Sequence, residues 1–432
     1  MRKLLETLFL LSLLLIGWGT LEIKWGGDTL FTLYGTTWES FFPLFFLYLI
    51  CRIYKKDWKK GAPWKDPFLL FGLFAALSAL WNPIHDCSMV LDYYLPALAA
   101  FITFRYLLSC DFAAMSSRFW PYYLGALALT VLRGIIEKPA LLSNLPSLYL
   151  PYQQNTHLDT PFFHHNHIAM NLVLGIPLAL GYLRLEPRKR VFTVAMLLIM
   201  LAGLILSNSR SGWVAFGVTA AYLILRLRVK NLRFAVLAFT AVFLVLMCSF
   251  SLTRSRLFSL AHFTNDSSLG CRMRMWVISR ELFRDHPLVG IGFSNRTFSS
   301  LEILYSRDLS ASGIISQDTM FDPHPHNLYI QIAVYLGLAG FIIFLWMVLE
   351  VSCALITIGE NDQNPLMLPF FVAGFLGFLT ANLADTVFYN TQTTLLFLLI
   401  PAYALEWSAR SRAGAGSAPS LKGKEGTVPK YP

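Results

Sequence analysis

The segment DPHPHNLYIQIAVYLGLAG, residues 322–340, places two histidines directly before an apolar run. Pro325 is typical of a first helical turn or of the residue before it, so the sequence predicts His326 at a helix N-terminus. The positive end of the helix dipole disfavours an extra positive charge there and so favours a neutral imidazole. A neutral histidine can accept a proton as a general base. The alternative interpretation is a histidine that only caps the helix by bonding to backbone groups.

Small residues follow at helical spacing. Gly337 lies about three turns after His326, and Gly340 is near the same face. We expect these glycines to let a neighbouring helix approach closely and fix the position of the histidine. His324, before Pro325, is predicted to support the site from the loop rather than to take the proton.

Arginine is the second residue type with an informative distribution. Residues 251–325 contain eight arginines and no lysine. The planar guanidinium group engages phosphate or carboxylate through two parallel hydrogen bonds, whereas the lysine ammonium is a point charge. The composition therefore favours an anionic ligand such as phosphate, although a single arginine can instead pair with a nearby acid or a lipid headgroup.

Within this segment, RMRMWVISRELFRDHP predicts a short helix that ends near Pro287. Arg272, Trp276 and Arg280 are four residues apart and therefore lie along one face. Trp276 suits the membrane interface, where a helix lying flat would direct Arg272 at a lipid-linked phosphate. Arg280 and Arg274 are the next candidates for that role.

The turn SNSRSGW, residues 207–213, puts Arg210 between two long apolar runs. Two interpretations remain open at this point. The guanidinium group can extend to the membrane surface as an anchor, or it can point inward and neutralise a diphosphate. The neighbouring serine and asparagine side chains fit a polar pocket better than a lipid-facing collar.

The cluster HHNH contains His164, His165 and His167 and prompts a metal hypothesis. Adjacent histidines rarely share one tetrahedral site, and no cysteine or carboxylate completes a familiar metal-binding spacing. A polar lining is therefore favoured, and neither a metal nor a cofactor is predicted.

The composition defines the elements that must position these residues. The chain is 432 residues long, 56% hydrophobic and only 14% charged. Apolar runs of roughly 16 to 24 residues recur along it, each long enough to cross a hydrocarbon core of ~30 Å. They are continuous rather than alternating, which favours helices over a β-barrel. The predicted fold is an all-α polytopic membrane protein with about twelve transmembrane helices. The predicted spans are residues 4–21, 34–52, 67–82, 89–108, 119–136, 166–184, 191–207, 211–227, 232–250, 326–350, 366–384 and 389–407.

Lysine and arginine in the short loops set the orientation. The segments 52–65, 184–190 and 226–233 are strongly basic, and twelve spans place them on one face with both termini. Short basic loops are typical of the cytoplasmic face. The net charge of +10 is explained by this face lying beside anionic membrane lipids, so no nucleic-acid partner is predicted. The predicted organisation is a transmembrane domain, one large periplasmic loop within it and a disordered cytoplasmic tail, at 1–407, 251–325 and 408–432 respectively.

Three of these elements together resemble the O-antigen ligase and O-antigen polymerase superfamily, in the expected order. The SNSRSGW turn is similar to the family's Ser-Arg-Ser turn with a following Trp, and it carries Arg210. RMRMW followed by HPLVGIG is similar to an Arg-x3-Trp element and its glycine-rich turn, and it carries Arg272. His326 and Asn327, nine further residues and then Gly-Leu-Ala-Gly match the ligases' pattern in full. The resemblance covers roughly residues 160–345.

The resemblance implies glycosyl transfer on the outer face of the bacterial inner membrane, by a fold similar to the C-type glycosyltransferases. In the ligases the donor is a glycan on undecaprenyl diphosphate, and the acceptor is a sugar of the lipid A–core. It also implies no metal or nucleotide, because the sugar–diphosphate bond stores the energy and arginines supply the stabilising charge. The expected catalytic residues are His326, Arg210 and Arg272. Substrate contacts are expected from Arg274, Arg280, His324, Asn327 and Trp276.

A ligase is favoured over a polymerase because the His-Asn pattern is complete and the chain has only one large loop. A protein O-oligosaccharyltransferase usually carries a larger C-terminal extension. A transporter, from a different class, tends to place ionisable residues near mid-membrane. Here Glu39, Asp92, Arg133 and Asp385 all lie towards the outer ends of predicted spans. This placement favours surface chemistry over translocation.

Overall fold

The computed structural model of the chain is almost entirely helical. It describes residues 2–18, 20–25, 28–34, 38–55, 66–137, 164–249, 253–254, 267–312, 324–362 and 366–414. Most of 251–266 and the predicted tail from residue 415 onward lie outside the described residues.

Helices coincide with all twelve predicted spans in the described part of the chain. They are α1 (Arg2–Trp18), α2 (Trp38–Lys55), α3 (Pro67–Leu77), α4 (Leu95–Cys110, preceded by the π-helical turn Met89–Tyr94), α5 (Phe112–Glu137), α6 (His165–Leu185), α7 (Arg190–Leu206), α8 (Arg210–Arg226), α9 (Lys230–Ser249), α12 (Leu328–Asn361), α13 (Leu368–Ala381) and α14 (Thr391–Arg412). Helix α14 continues past the predicted boundary at residue 407.

Two further helices lie in the segment predicted as one large loop. They are α10 (Ser267–Asp285) and α11 (Asn295–Ala311). The predicted short helix over 272–287 is confirmed by α10, which begins earlier. Helix α11 was not predicted from the sequence.

Six helical segments of the described residues are long and apolar enough to cross a membrane. They are Met89–Cys110, Phe112–Glu137, His165–Leu185, Pro187–Leu206, Lys230–Ser249 and Leu328–Asn361. Shorter apolar helices occur at Pro43–Arg52, Pro67–Leu80 and Leu368–Ala381. The helical membrane fold is thus supported for these segments, and a total of twelve crossings stays a prediction.

A small hairpin interrupts the helices near the N-terminus. Strands β1 (Thr20–Trp25) and β2 (Asp28–Tyr34) pair antiparallel, with Thr20 opposite Tyr34. The all-helical prediction missed this hairpin. The alternation of polar and apolar residues in TLEIKW is the pattern of a strand, but it is short and follows directly on the first apolar run.

Helix α6 lies at the centre of the bundle and packs against α5, α7, α8, α13 and α14. Its residues from Asn166 to Tyr182 are all buried. Glycines allow the close contacts, since a Cβ at Gly374 would lie 2.9 Å from the carbonyl oxygen of Leu174. Helix α9 is peripheral by comparison, because only Val236, Phe243 and Met247 are buried along it.

Helix α12 is broken at Gly337, where the backbone adopts φ 63° and ψ −165°. The turn Pro287–Gly292 fills the break: Leu338 N donates to Pro287 O at 2.8 Å, and Gly292 N donates to Tyr335 O at 2.9 Å. A Cβ on Gly337 would overlap the backbone of this turn, and its positive φ independently favours glycine. A close approach at Gly337 was expected, but the expectation of a neighbouring helix is wrong. A loop backbone approaches instead, because the broken helix offers it free hydrogen-bonding groups.

Candidate active site at the N-termini of four helices

A buried carboxylate, Asp385, lies in the loop between α13 and α14 and faces four histidines. His324 Nε2 and His326 Nδ1 each lie 3.5 Å from Asp385 Oδ1. His164 Nδ1 lies 3.7 Å from Oδ2, and His167 Nε2 lies 4.0 Å from Oδ1. The two histidine motifs of the sequence therefore meet at one acid, which sequence reasoning did not single out as a site residue.

The environment of Asp385 favours its ionised form. Burial acts to raise the pKa of this carboxyl group, but hydrogen bonds from His324 and His326 and the charges of nearby histidines outweigh burial. The pKa of Asp385 therefore lies well below its usual range. Asn166 Nδ2 also donates to Oδ2 at 2.6 Å, and the backbone N–H of Thr386 donates to Oδ1 at 2.8 Å.

Four helices begin around this carboxylate, and each has a side-chain cap. The caps of α6, α8, α12 and α14 are His164, Ser209, Asn327 and Asn390, and each accepts a hydrogen bond from a backbone N–H of the first turn. Helix N-termini carry partial positive charge and favour anions nearby. This end of the bundle is therefore suited electrostatically to a negatively charged group.

The SNSRSGW turn belongs to the same cluster. Ser209 Oγ donates to Asn166 Oδ1 at 2.6 Å, and Asn166 in turn bonds Asp385. Trp213 Nε1 donates to Leu204 O at 3.0 Å and closes the turn onto α7. Arg210 is the first residue of α8, directly after Ser209. The predicted polar surroundings of Arg210 are therefore present, and its phosphate contact stays a prediction.

The start of α12 fixes the orientation of the histidines. His326 has a left-handed backbone, with φ 49°, a conformation that costs a non-glycine residue of order 1–3 kcal/mol. The loop before α14 secures it: Leu328 N donates to Asp385 O at 3.0 Å, and Asn327 Nδ2 donates to Leu383 O at 2.8 Å. The structure places His326 just before the helix, as predicted, and shows Asn327 as the cap.

Trp276 links α10 to this loop. Its Nε1 donates to Pro325 O at 3.0 Å, so the indole contacts the His-Pro-His segment. Arg272 lies one helical turn before Trp276 on the same face. The Arg-x3-Trp element therefore extends from the histidine loop along α10, although a substrate contact of Arg272 or Trp276 stays a prediction.

The other two candidate arginines engage acids of their own segment. Arg274 is buried, its Nη2 donates to Ser306 Oγ at 2.9 Å, and it lies 4.0 Å from Glu302 Oε1. Arg280 is exposed and contacts Glu281 at 2.7 Å. These are the acid pairings that the alternative interpretation expected. A substrate contact from either arginine stays a prediction.

The prediction of no metal at the HHNH motif rests partly on the lack of a nearby carboxylate. In the structure Asp385 supplies one from a distant part of the sequence. In the described residues, His164 and His167 with Asp385, and His324 and His326 with Asp385, are groups able to hold a metal ion. No local sequence motif identifies Asp385 as a site residue, because its partners lie on other helices.

The fold and this centre define a helical membrane protein with a buried histidine–carboxylate cluster where four helices begin. A family model described as O-antigen ligase matches residues 195–345, and this match supports membership in the O-antigen ligase and polymerase superfamily. The description of that family is consistent with a glycosyltransferase-like enzyme. No curated protein matches the chain. The matched range contains Arg210, Arg272 and His326, whereas His164 and Asp385 lie outside it.

Proposed function

We propose that this protein is an O-antigen ligase of the bacterial inner membrane. It transfers a glycan from undecaprenyl diphosphate to a sugar hydroxyl of the lipid A–core on the periplasmic face. The observation that carries this proposal is the placement of His326 Nδ1 3.5 Å from the buried carboxylate of Asp385, at the start of α12. This pairing supplies an oriented proton acceptor.

His326 is the general base. In the tautomer with hydrogen on Nδ1, the Nδ1–H group of His326 points at the Asp385 carboxylate, which stays ionised, and the lone pair on Nε2 is available to take a proton. As the acceptor oxygen bonds to the anomeric carbon of the donor, Nε2 takes the hydroxyl proton, and the bond from that carbon to the diphosphate oxygen breaks. Asp385 then stabilises the imidazolium ion. A positioned base typically contributes ~10²–10⁴-fold to the rate.

Arg210 and Arg272 hold the diphosphate and stabilise the charge that develops on it as it leaves. Arg210 begins a helix whose cap, Ser209, hydrogen-bonds Asn166, and Asn166 in turn hydrogen-bonds Asp385. Arg272 lies one turn from Trp276, which contacts the histidine loop. The four helix N-termini add positive potential in the same region. With this fixed charge the reaction needs no metal ion.

The orientation follows from the two ends of the helices. Helix α6 begins in the histidine cluster and ends at the start of the basic segment 184–190. Helix α8 begins at Arg210 and ends at the start of the basic segment 226–233. If the basic loops are cytoplasmic, the histidine cluster faces the periplasm. Both termini are then cytoplasmic.

A lipopolysaccharide gel of a deletion strain tests the proposal. We expect loss of all O-antigen-capped chains, restored by the wild-type protein and by His286→Ala, which changes an exposed histidine of the same segment. His326→Gln should not restore capping, because an amide can hold a hydrogen bond but cannot accept the proton. A deletion strain whose core still carries a single repeat would instead identify a polymerase. Unchanged lipopolysaccharide would contradict both, and normal capping by His326→Gln would remove the general-base role.

A further inference from the structure

The cluster around Asp385 contains two histidine pairs, and one of them has the geometry of a transition-metal site. His324 Nε2 and His326 Nδ1 each lie 3.5 Å from Asp385 Oδ1. The three ligand atoms lie within 4.8 Å of one another, and all three residues are buried. Imidazole nitrogen and carboxylate oxygen are established ligands of Zn²⁺.

The two nitrogen-to-oxygen separations are close to those of a tetrahedral ion. Zinc binds nitrogen and oxygen ligands at ~2.0–2.1 Å, so two ligands of one tetrahedral ion lie ~3.3 Å apart. The 3.5 Å separations are only slightly larger, and a small rotation of either imidazole closes the difference. Tyr389 stacks on the His324 ring, with centroids 4.3 Å apart, and the left-handed backbone of His326 sets the direction of its side chain. The ligands are therefore largely oriented in advance.

The second pair fits a metal less well. His164 Nδ1 and His167 Nε2 lie 3.7 Å and 4.0 Å from the carboxylate, on different oxygens. Each carboxylate oxygen also accepts one hydrogen bond, Oδ2 from Asn166 Nδ2 at 2.6 Å and Oδ1 from Thr386 N at 2.8 Å, so the distances to the histidines decide between the two pairs. The ion is therefore assigned to the pair on Oδ1.

We propose that His324, His326 and Asp385 bind one Zn²⁺ ion, and that this ion inhibits glycan transfer. The inhibition rests on the proposed function of His326 as the base. As a base, His326 carries its hydrogen on Nδ1 and accepts a proton at Nε2. A zinc ion on Nδ1 displaces that hydrogen, which moves through solvent to Nε2. Nε2 then donates a hydrogen bond and can no longer accept the acceptor's proton.

Zinc binding is measured on the full-length protein in detergent micelles. The protein is first stripped of metal with EDTA and dialysed, and Zn²⁺ is then added. We expect one Zn²⁺ per chain by metal analysis. Titration calorimetry should show binding weakened in His324→Ala and in Asp385→Asn by at least the ~10- to 100-fold that loss of a group supporting a ligand costs. Mg²⁺ and Ca²⁺ prefer oxygen ligands and should not displace the ion. His286→Ala is the matched control and should bind zinc as the wild type does.

Three results would overturn the assignment. One is no zinc bound by the wild-type protein. Another is equal binding by wild type, His324→Ala and Asp385→Asn, which would place the ion elsewhere. The third is loss of binding in His164→Ala but not in His324→Ala, which would assign the ion to the other pair.

A separate arm tests inhibition. With purified lipid-linked donor and lipid A–core acceptor, added Zn²⁺ should reduce transfer at the concentration that fills the site, and EDTA should restore it. Faster transfer with zinc would overturn the inhibitory role. The binding arm contains no glycan, so a protein that binds zinc but transfers nothing would contradict the proposed function and leave the metal site intact.

Discussion

Carboxylates lie at both ends of the helical bundle, part-buried at one end and fully buried at the other, and different groups neutralise them. At the end nearer the basic loops, Arg105 lies 2.5 Å from Asp66 and 2.8 Å from Glu406. At the other end, Asp385 is surrounded by imidazole and amide groups. A guanidinium group stays charged at any physiological pH, whereas imidazole titrates near neutrality. The first arrangement can therefore only connect helices, whereas the second can take up and release a proton.

The acids at the two ends also differ in pKa. Burial raises the pKa of Asp66 more than Arg105 and the backbone bonds lower it. At Asp385, burial is outweighed by the bonds from His324 and His326, so its pKa is lowered. Ionised Asp385 thus contributes stability that is present above the ordinary pKa of aspartate and is lost as the pH falls through its lowered value. The raised pKa of Asp66 has the opposite effect. Its contribution to stability falls as the pH rises from the ordinary pKa of aspartate through the raised pKa.

The first prediction is that the Arg105 end and the Asp385 end of the bundle face opposite sides of the membrane. In a background without the native cysteines, Ser300→Cys on α11 should react with an impermeant maleimide in intact cells. Lys60→Cys, in the basic segment 52–65, should react only after the cells are permeabilised. Labelling of Lys60→Cys in intact cells would reverse the topology and the periplasmic assignment of the histidine cluster.

The largest effect on activity is expected at Asp385. Asp385→Asn preserves shape and the contact with Asn166 but removes the charge that stabilises the His326 imidazolium. We expect transfer to fall ~10²–10⁴-fold with normal expression. The acidic limb of the pH–rate profile should also move to lower pH, because the imidazole has lost its anionic partner and gives up its proton more readily.

Asp308→Asn is the matched control, since Asp308 is an exposed acid on α11. It should transfer at the wild-type rate. A fall in activity for Asp385→Asn without any shift of the acidic limb would indicate a structural role for Asp385 rather than action through His326.

The sequence could predict much of this fold because lipid imposes a local rule. Each crossing must satisfy its own backbone, so each helix is visible as a continuous apolar run. The hairpin at Thr20–Tyr34 and helix α11 were missed because neither is a continuous apolar run.

The site was predictable only where its residues form local motifs. His326 is recognisable from its proline and the following helix, and Arg210 from its polar turn. Asp385 has no such motif, because its partners His164 and His324 are far away in the sequence and come together only when α6, α12 and α14 begin side by side. A metal site is unpredictable from the sequence for the same reason, since its carboxylate is Asp385.

The next effect is expected at the arginines of the histidine end. Arg210→Lys and Arg272→Lys keep the charge but lose the planar pair of donors, so each should reduce transfer roughly ten- to a hundred-fold. Arg284→Lys, on a side chain that is 81% exposed, is the control and should be neutral. If Arg210→Lys and Arg272→Lys both transfer at the wild-type rate, neither binds the diphosphate, and Arg280 and Arg274 become the residues to test.

The smallest effect on transfer is expected at the opposite end. Arg105→Gln leaves the part-buried Asp66 and Glu406 carboxylates without their cation. A fully buried polar group that loses its partner costs about 1–3 kcal/mol, and that is the upper range expected here. The melting temperature in detergent should therefore fall, while transfer by the remaining folded protein stays normal, because no proton is exchanged there. Arg284→Gln removes a contact with Glu281, where the arginine is 81% exposed and Glu281 keeps Arg280 as a partner, and it should change the melting temperature much less. If Arg105→Gln reduced transfer as strongly as Asp385→Asn at unchanged melting temperature, the Arg105 end would take part in catalysis and would not be purely structural.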